Sequence, residues 1–294
     1  MYNKELKGKP HKTLFININL LIRGIFYLTR LCFINILQYL CNRFAKKLFG
    51  INMNLIADIG NNSAKFFLFQ DNRLILHTRR TDNFHTLIKE WNDAYEIDKA
   101  IVSSVIDLSD EQKKAFDSLA CPIIWFDNSV KTPLKIDYNT PNTLGSDRLA
   151  AAVGAWNEKQ ECNLLIIDAG SAITYDVVEK NGIYRGGNIA PGIRMRLRAL
   201  HEYTGRLPII EKEGEVPLLG KETETAIRSG VIKGICYEID GFINEFSQRF
   251  GDVYAFLTGG DENSLKNHIK SRIFVDKFLV AKGLNRILNE YDNI

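Results

Sequence analysis

Apolar runs that end on an aspartate and a glycine recur along this chain. Residues 55–57 are apolar and deliver Asp58 into the segment Gly60-Asn61-Asn62; a second apolar run leaves at once, and a third follows Asp71-Asn72. The same outline returns at 165–182, where "LIIDAGSAITYDVVEKNG" repeats "LIADIGNNSAKFFLFQDN". Each copy has an apolar strand, an Asp-x-Gly, a polar residue (Asn61 or Ser171) and a second strand that runs to a turn dipeptide. The turn dipeptides Asp71-Asn72 and Asn181-Gly182 stand at the same offset from Asp58 and Asp168, and Asn-Gly predicts a tight hairpin. One such hairpin carries little information, because Asp and Gly are common in turns. Two in register, each behind a buried strand, predict an internal duplication.

Around the hairpins the pattern alternates between strands and helices. "KAIVSSV" and "PIIWF" read as buried strands, and residues 82–95 and 109–119 carry apolar positions at helical spacing. Residues 224–250 predict one long helix, "VYAFLTGG" a strand that ends in a glycine pair, and 278–291 a closing helix. We therefore expect an α/β protein of two hairpin-led halves, residues 53–160 and 161–294.

Residues 14–49 are rich in Leu, Ile and Phe, but Arg23 and Arg30 interrupt them before about 18 apolar residues accumulate, so no membrane span is predicted. No small-residue cleavage site follows, as a secretory signal would require. The segment reads as a basic amphipathic surface helix, as a docking helix, or as sequence upstream of a true start at Met53. We take the last reading and treat residues 1–52 as an extension outside the fold; membrane contact is expected only if that extension is real.

Charge sharpens this division. The chain has 38 Lys and Arg against 35 Asp and Glu, yet nine of those bases and one of those acids fall in residues 1–52, so the body is mildly acidic. An acidic body argues against nucleic-acid binding, which needs a basic face. The five cysteines (32, 41, 121, 162, 236) form no Cys-x-x-Cys, and the five histidines offer no ligand spacing. Scattered free thiols suit a reducing cytoplasm, which is the expected location.

The duplicated turns suggest a chemistry. Glycine permits a sharp turn and close ligand approach, and successive amides in such a turn form an anion-binding concavity. An aspartate at the strand end repels phosphate unless a cation lies between them, and Mg²⁺ is commonly held by one or two carboxylates plus phosphate oxygens. Two facing hairpins would grip a nucleotide's phosphates from both sides. Neither a P-loop nor a Rossmann dinucleotide turn competes with them. "GEVPLLGKE" (214–222) has one residue too many between its glycines and Glu where a P-loop needs Ser or Thr, and no Gly-x-Gly-x-x-Gly follows a strand. A third cluster, "DYNTPNTLGSDRLAAAVGAW" (137–156), starts a helix with Asp147 and Arg148 in its first turn. The bland reading is a capped helix start; the sharper one is a general base beside an anion-binding arginine. In "YRGGNIAPGIRMRLRAL" (184–200) the glycines suggest close packing or a ligand wall, and Arg194, Arg196 and Arg198 a solvated helix face.

In their order and spacing, "DIGNNSAK", "PNTLGSDRLAA", "DAGSAITYDVV", "GGNIAPGI", "TGRLP", "LGKETETAIRSGV" and "LTGG" resemble type III pantothenate kinases, of the acetate/sugar kinase–Hsp70–actin superfamily, over essentially all of residues 53–294. The resemblance implies two ribonuclease-H-like halves with ATP between them. It also implies Mg²⁺, a monovalent cation (K⁺ or NH₄⁺), a homodimer, and transfer of a phosphoryl group to the primary hydroxyl of pantothenate, giving 4'-phosphopantothenate in the first step of coenzyme A synthesis. Asp58, Ile59, Gly60, Asn61, Asn62, Ser63, Ala64 and Lys65 match the first phosphate loop, and Ser171 the hydroxyl of the second. Gly145, Ser146, Asp147 and Arg148 match the pantothenate segment, with Asp147 as proton acceptor. Tyr138 matches a pocket tyrosine, Asp168 the monovalent-cation ligand, and Thr223 a substrate contact that can reach across a dimer. Two positions depart from the family pattern. Asn62 stands where a hydroxyl residue is usual, and Ser171 where Thr is usual. A sugar or acetate kinase of the same superfamily fits the repeat but not the Gly-Ser-Asp-Arg segment, and a nucleotide-sensing regulator is suggested by Asn62 alone.

Overall fold

The computed structural model describes residues 52–60, 63–81, 84–127 and 129–291. The expected N-terminal extension and the loop residues Asn61 and Asn62 lie outside the described residues, Asn52 excepted.

The first half builds a five-stranded sheet. β1 (Met53–Ile59), β2 (Ala64–Gln70) and β3 (Arg73–Arg80) form an antiparallel meander. β4 (Lys99–Ser104) then lies parallel to β1, and β5 (Ile123–Phe126) parallel to β4, in the order β3-β2-β1-β4-β5. The second half repeats this plan. β7 (Asn163–Ala169), β8 (Ala172–Val178) and β9 (Ile183–Pro191) form the meander, and β10 (Val253–Thr258) and β11 (Phe274–Val275) extend it in parallel. The order β11-β10-β7-β8-β9 is the same, with the short β6 (Lys135–Ile136) added beside β9. The predicted duplication is thus a duplicated topology of two ribonuclease-H-like halves.

Two local readings differ from the structure. Asn181-Gly182 does not make a two-residue hairpin. The connection spans 179–182, with the Gly182 amide on the Glu179 carbonyl at 2.8 Å and Gly182 at φ +77°, a four-residue turn that ends in a left-handed glycine. Asp71-Asn72 does make a two-residue turn, with Asp71 at φ +51°. Residues 109–119 give only α2 (Asp110–Lys114), capped by Ser109 and Gln112, and then a 3₁₀ turn at Ala115–Ser118 that tightens to bury Phe116.

The helices make three layers around the sheets. α1 (His85–Tyr95) and the 3₁₀ turn cover the outer face of the first sheet, over Leu55, Ala57, Phe66 and Leu68. α4 (Ile193–Glu202) and α5 (Thr223–Phe250) cover the outer face of the second, and Gly251 at φ +79° ends α5. Between the sheets lie α3 (Ser146–Glu158) and α7 (Leu279–Tyr291), the latter preceded by the one-turn α6 (Glu262–Leu265) after β10. α3 and α7 share one core with Ile56, Phe67 and Ile101 of the first sheet and Leu164, Ile166 and Phe256 of the second. Fully burying each such side chain contributes about 1.5–3 kcal/mol.

The crossing of α3 and α7 needs bare backbone. A Cβ on Gly154 would lie 2.1 Å from the Leu279 carbonyl oxygen, and one on Gly283 would lie 1.8 Å from that of Ala150. An asparagine network then ties α7 to the first hairpin: Asn54 Nδ2 donates to Asn285 Oδ1 (2.7 Å) and Asn289 Oδ1 (2.8 Å), and Asn285 Nδ2 donates to the Asp71 carbonyl (2.8 Å). The two sheets are therefore held by a shared central layer. Among the described residues no helix is long and apolar enough to cross a membrane.

Candidate active site

Asp58 ends β1, where burial raises its carboxyl pKa, Lys65 opposes that shift by charge and hydrogen bond, and Asp147 adds to it. Lys65, its register partner on β2, donates from Nζ to Asp58 Oδ2 at 3.3 Å. The loop closes through the Gly60 amide on the Ser63 carbonyl (3.1 Å), and the Ser63 hydroxyl accepts from Arg79 Nε (2.7 Å). Ile59 and Ala64 are core side chains, so they offer the loop their backbone only.

The second loop is built the same way. Asp168 ends β7, and the Gly170 amide closes the turn on the Ala172 carbonyl at 2.9 Å. Burial pushes the Asp168 carboxyl up to about 7; Lys65 opposes the shift, while Asp147, Asp58 and Asp176 add to it. Two other glycine motifs fold against this loop. The Gly192 amide donates to the Ser171 carbonyl (3.1 Å), and a Cβ there would meet the Gly170 carbonyl at 2.2 Å. Gly259 adopts φ +96°, and a Cβ would lie 2.4 Å from Asp168 Oδ1. "APG" and "TGG" are thus parts of the wall around Asp168. Ser171 itself is exposed at the loop tip.

The third cluster joins them at the start of α3. Gly145 takes the N-cap position, Ser146 Oγ lies 3.0 Å from Ser103 Oγ at the end of β4, and Asp147 Oδ1 accepts the Arg148 amide at 2.8 Å. A cleft of about 440 Å³ opens there, lined by Ser104, Val105, Leu144, Gly145 and Ser146. Arg148 points inward and is buried. Its Nη2 lies 2.6 Å from Asp176 Oδ1, and that hydrogen-bonded carboxylate outweighs the cost of burial and holds the guanidinium charged. Tyr138 packs edge-on to Tyr184, with ring centroids 6.3 Å apart.

Lys65 and Asp147 thus each act on both Asp58 and Asp168, while Arg148, next to Asp147 in the chain, interacts with Asp176, Tyr184 and Tyr138. Thr223 is not among these residues: it is exposed at the first residue of α5, on the helix over the outer face of the second sheet. Asp176 and Tyr184 escape a reading of the sequence alone; the available signal is a carboxylate inside the otherwise buried strand "AITYDVV". Among the described residues no three His, Cys, Asp or Glu side chains form a ready metal cage. The chain supplies excess negative charge and hydroxyls, a donor set that suits a cation shared with phosphate oxygens.

A sequence model of the family described as type III pantothenate kinase matches residues 54–245. The chain belongs to the type III pantothenate kinase family. The type III pantothenate kinase of Bacteroides fragilis (strain YCH46) is 46% identical over 241 residues, which are 82% of this chain and 99% of that protein. Its counterpart in Phocaeicola vulgatus is 43% identical over 242 residues, 82% of this chain and all of that protein. A solved Campylobacter jejuni protein, described under the Baf family of transcriptional activators, superposes with a TM-score of 0.55 at 25% identity, over 82% of this chain and all of that one. The enzyme is a pantothenate kinase: with ATP and a divalent metal ion it phosphorylates pantothenate, in coenzyme A biosynthesis.

Proposed function

We propose that pantothenate kinase activity is carried out at the group Asp58–Lys65–Asp147–Asp168, with ATP between the two hairpin loops. The observation that carries this reading is that Lys65 and Asp147 each act on both strand-end carboxylates, Asp58 and Asp168, so three separated motifs meet in one place. Asp147 takes the proton from the primary hydroxyl of pantothenate, held in position by the start of α3 and by the Arg148 amide on its Oδ1. Gly145, Ser146, Arg148 and Tyr138 line the acceptor pocket. The first-loop backbone from Asp58 to Lys65, Asn61 and Asn62 included, and the Ser171 hydroxyl face the ATP phosphates. Lys65 approaches the transferring phosphoryl group and compensates its charge. Asp58 would hold the divalent ion, and Asp168, whose carboxyl burial pushes up to about 7, would take a monovalent cation such as K⁺ or NH₄⁺ as it ionises. These ions supply charge neutralisation on the phosphates, and the chain supplies positioning, which is most of what such transfers need.

The same reading includes a homodimer in which Thr223 of one copy completes the acceptor site of the other. Its exposed position, and the exposed Tyr203, Leu218 and Leu219 on the loop before it, support that arrangement. It also includes a division near residue 160, work in the cytoplasm where ATP is plentiful, and no nucleic-acid or membrane partner for the body. The test is ATP-dependent phosphorylation of pantothenate by a chain begun at Met53, with Mg²⁺, with and without K⁺. Activity that rises with K⁺ supports the reading; an active enzyme indifferent to monovalent cations removes the role given to Asp168.

A further inference from the structure

The acceptor pocket leans on one buried carboxylate. Asp176 is fully buried in β8, between Tyr175 and Val177. It accepts from Arg148 Nε (3.0 Å to Oδ1, 3.3 Å to Oδ2), from Arg148 Nη2 (2.6 Å) and from the Tyr184 hydroxyl (2.6 Å). Tyr184 is fully buried as well and meets the Tyr138 ring edge-on. The Tyr138 ring in turn lies on bare backbone: Gly186 adopts φ +87°, and a Cβ there would be 3.1 Å from it. Arg148 and Tyr138 thus come from different segments, yet both are placed through Asp176.

We propose that Asp176 is the positioning residue of the acceptor site. It fixes Arg148 directly and Tyr138 through Tyr184, and so sets the affinity for pantothenate without touching pantothenate or nucleotide. The inference rests on the reading that Tyr138 and Arg148 line the acceptor pocket. A buried ion pair is by itself weak grounds for a stability role, since desolvation offsets much of the attraction. What distinguishes this pair is that its partners face one substrate. Asp176→Asn keeps the shape and removes the charge, and Tyr184→Phe removes only the hydroxyl that passes the constraint to Tyr138.

The experiment measures KM for pantothenate, kcat, the Kd of a non-hydrolysable ATP analogue and the melting temperature for Asp176→Asn, Tyr184→Phe and Tyr138→Ala. Losing a hydrogen bond to a charged group is worth about tenfold in affinity, so Asp176→Asn should raise KM for pantothenate about tenfold or more and leave the analogue's Kd within about twofold. Tyr184→Phe should raise KM by a smaller factor, and it carries the test alone if Asp176→Asn does not fold. An unchanged pantothenate KM, or nucleotide affinity falling in step with it, overturns the inference. If Tyr138→Ala leaves KM unmoved, the acceptor-pocket reading itself fails. If Tyr138→Ala raises KM while Asp176→Asn and Tyr184→Phe do not, only the role of Asp176 is lost.

Discussion

Asp58 and Asp168 occupy the same place in the two sheets. Each ends the central strand of its half, and each has a buried hydroxyl residue beside it on the parallel neighbour, Ser103 for Asp58 and Thr258 for Asp168. Their antiparallel neighbours differ: Lys65 stands opposite Asp58, and Thr174 opposite Asp168. The duplication therefore supplies two carboxylates but only one matching cation; burial raises both carboxyls, Asp168 to about 7, and Lys65 opposes the shift at each.

That asymmetry gives a pH dependence with a definite sign. A carboxyl whose folded pKa is raised from 3.8 to about 7 penalises the folded state as pH rises through that window, and the penalty is complete above about 7. Without added cations, the melting temperature of the enzyme should fall relative to Asp168→Asn between about pH 5 and pH 8. K⁺ should restore more stability at the alkaline end of that range than at the acid end. Equal restoration at both ends would contradict this account of Asp168.

Gly259→Ala tests the wall around the same carboxylate. The new methyl would sit 2.4 Å from Asp168 Oδ1 and 2.3 Å from the Ala169 carbonyl oxygen, at a φ that disfavours any side chain. Nucleotide affinity should drop about tenfold or more, a shift of about 1.4 kcal/mol, with strand content unchanged by circular dichroism. Wild-type affinity in the variant would show that this loop does not shape the site.

Gly283→Ala addresses the central layer. Its methyl would overlap the Ala150 carbonyl at 1.8 Å, and backbone cannot move aside as a flexible side chain can. The expected loss is about 3 kcal/mol or more, at or above the usual range for overpacking, and is read from the urea midpoint. A loss below about 1 kcal/mol would mean that α3 and α7 separate freely.

Lys212 pairs with Asp261, whose amide donates to the Ala169 carbonyl at 2.9 Å, so the segment 203–222 is strapped to the second phosphate loop. Arg228 holds the same segment from below, through the Glu211 carbonyl at 3.1 Å and the Glu215 carbonyl at 3.5 Å. Lys212→Met should speed proteolytic cleavage within 203–222 severalfold, by more than its effect on the urea midpoint accounts for. Unchanged cleavage would place the restraint elsewhere.

The hairpins are legible in the sequence because an apolar run that stops at Asp-x-Gly has few other solutions, and the repeat sets their register. The long helix at Thr223–Phe250 is legible for the same reason of sustained period. The central layer is not. Gly154 and Gly283 look like weak points within their own helices, and only the facing backbone shows why a side chain is impossible there. Asp176 is hidden by its neighbours, since a charge inside a buried strand is explained by Arg148, 28 positions earlier, and by the Tyr184 hydroxyl. Arg196 reads as solvated from its spacing, yet its Nε donates to the Pro191 carbonyl at 2.7 Å and it pairs with Glu238 on α5, contacts that no periodicity encodes. The strands Lys135–Ile136 and Phe274–Val275 are two residues each and leave no pattern to read.

The most direct test of the central claim is the kinetics of Asp147→Asn beside its nucleotide affinity. A positioned general base contributes about 10²–10⁴-fold. The account predicts that turnover with pantothenate falls by that factor while the Kd of a non-hydrolysable ATP analogue stays within about twofold. Turnover near the wild-type value would contradict the assignment of Asp147 as the base.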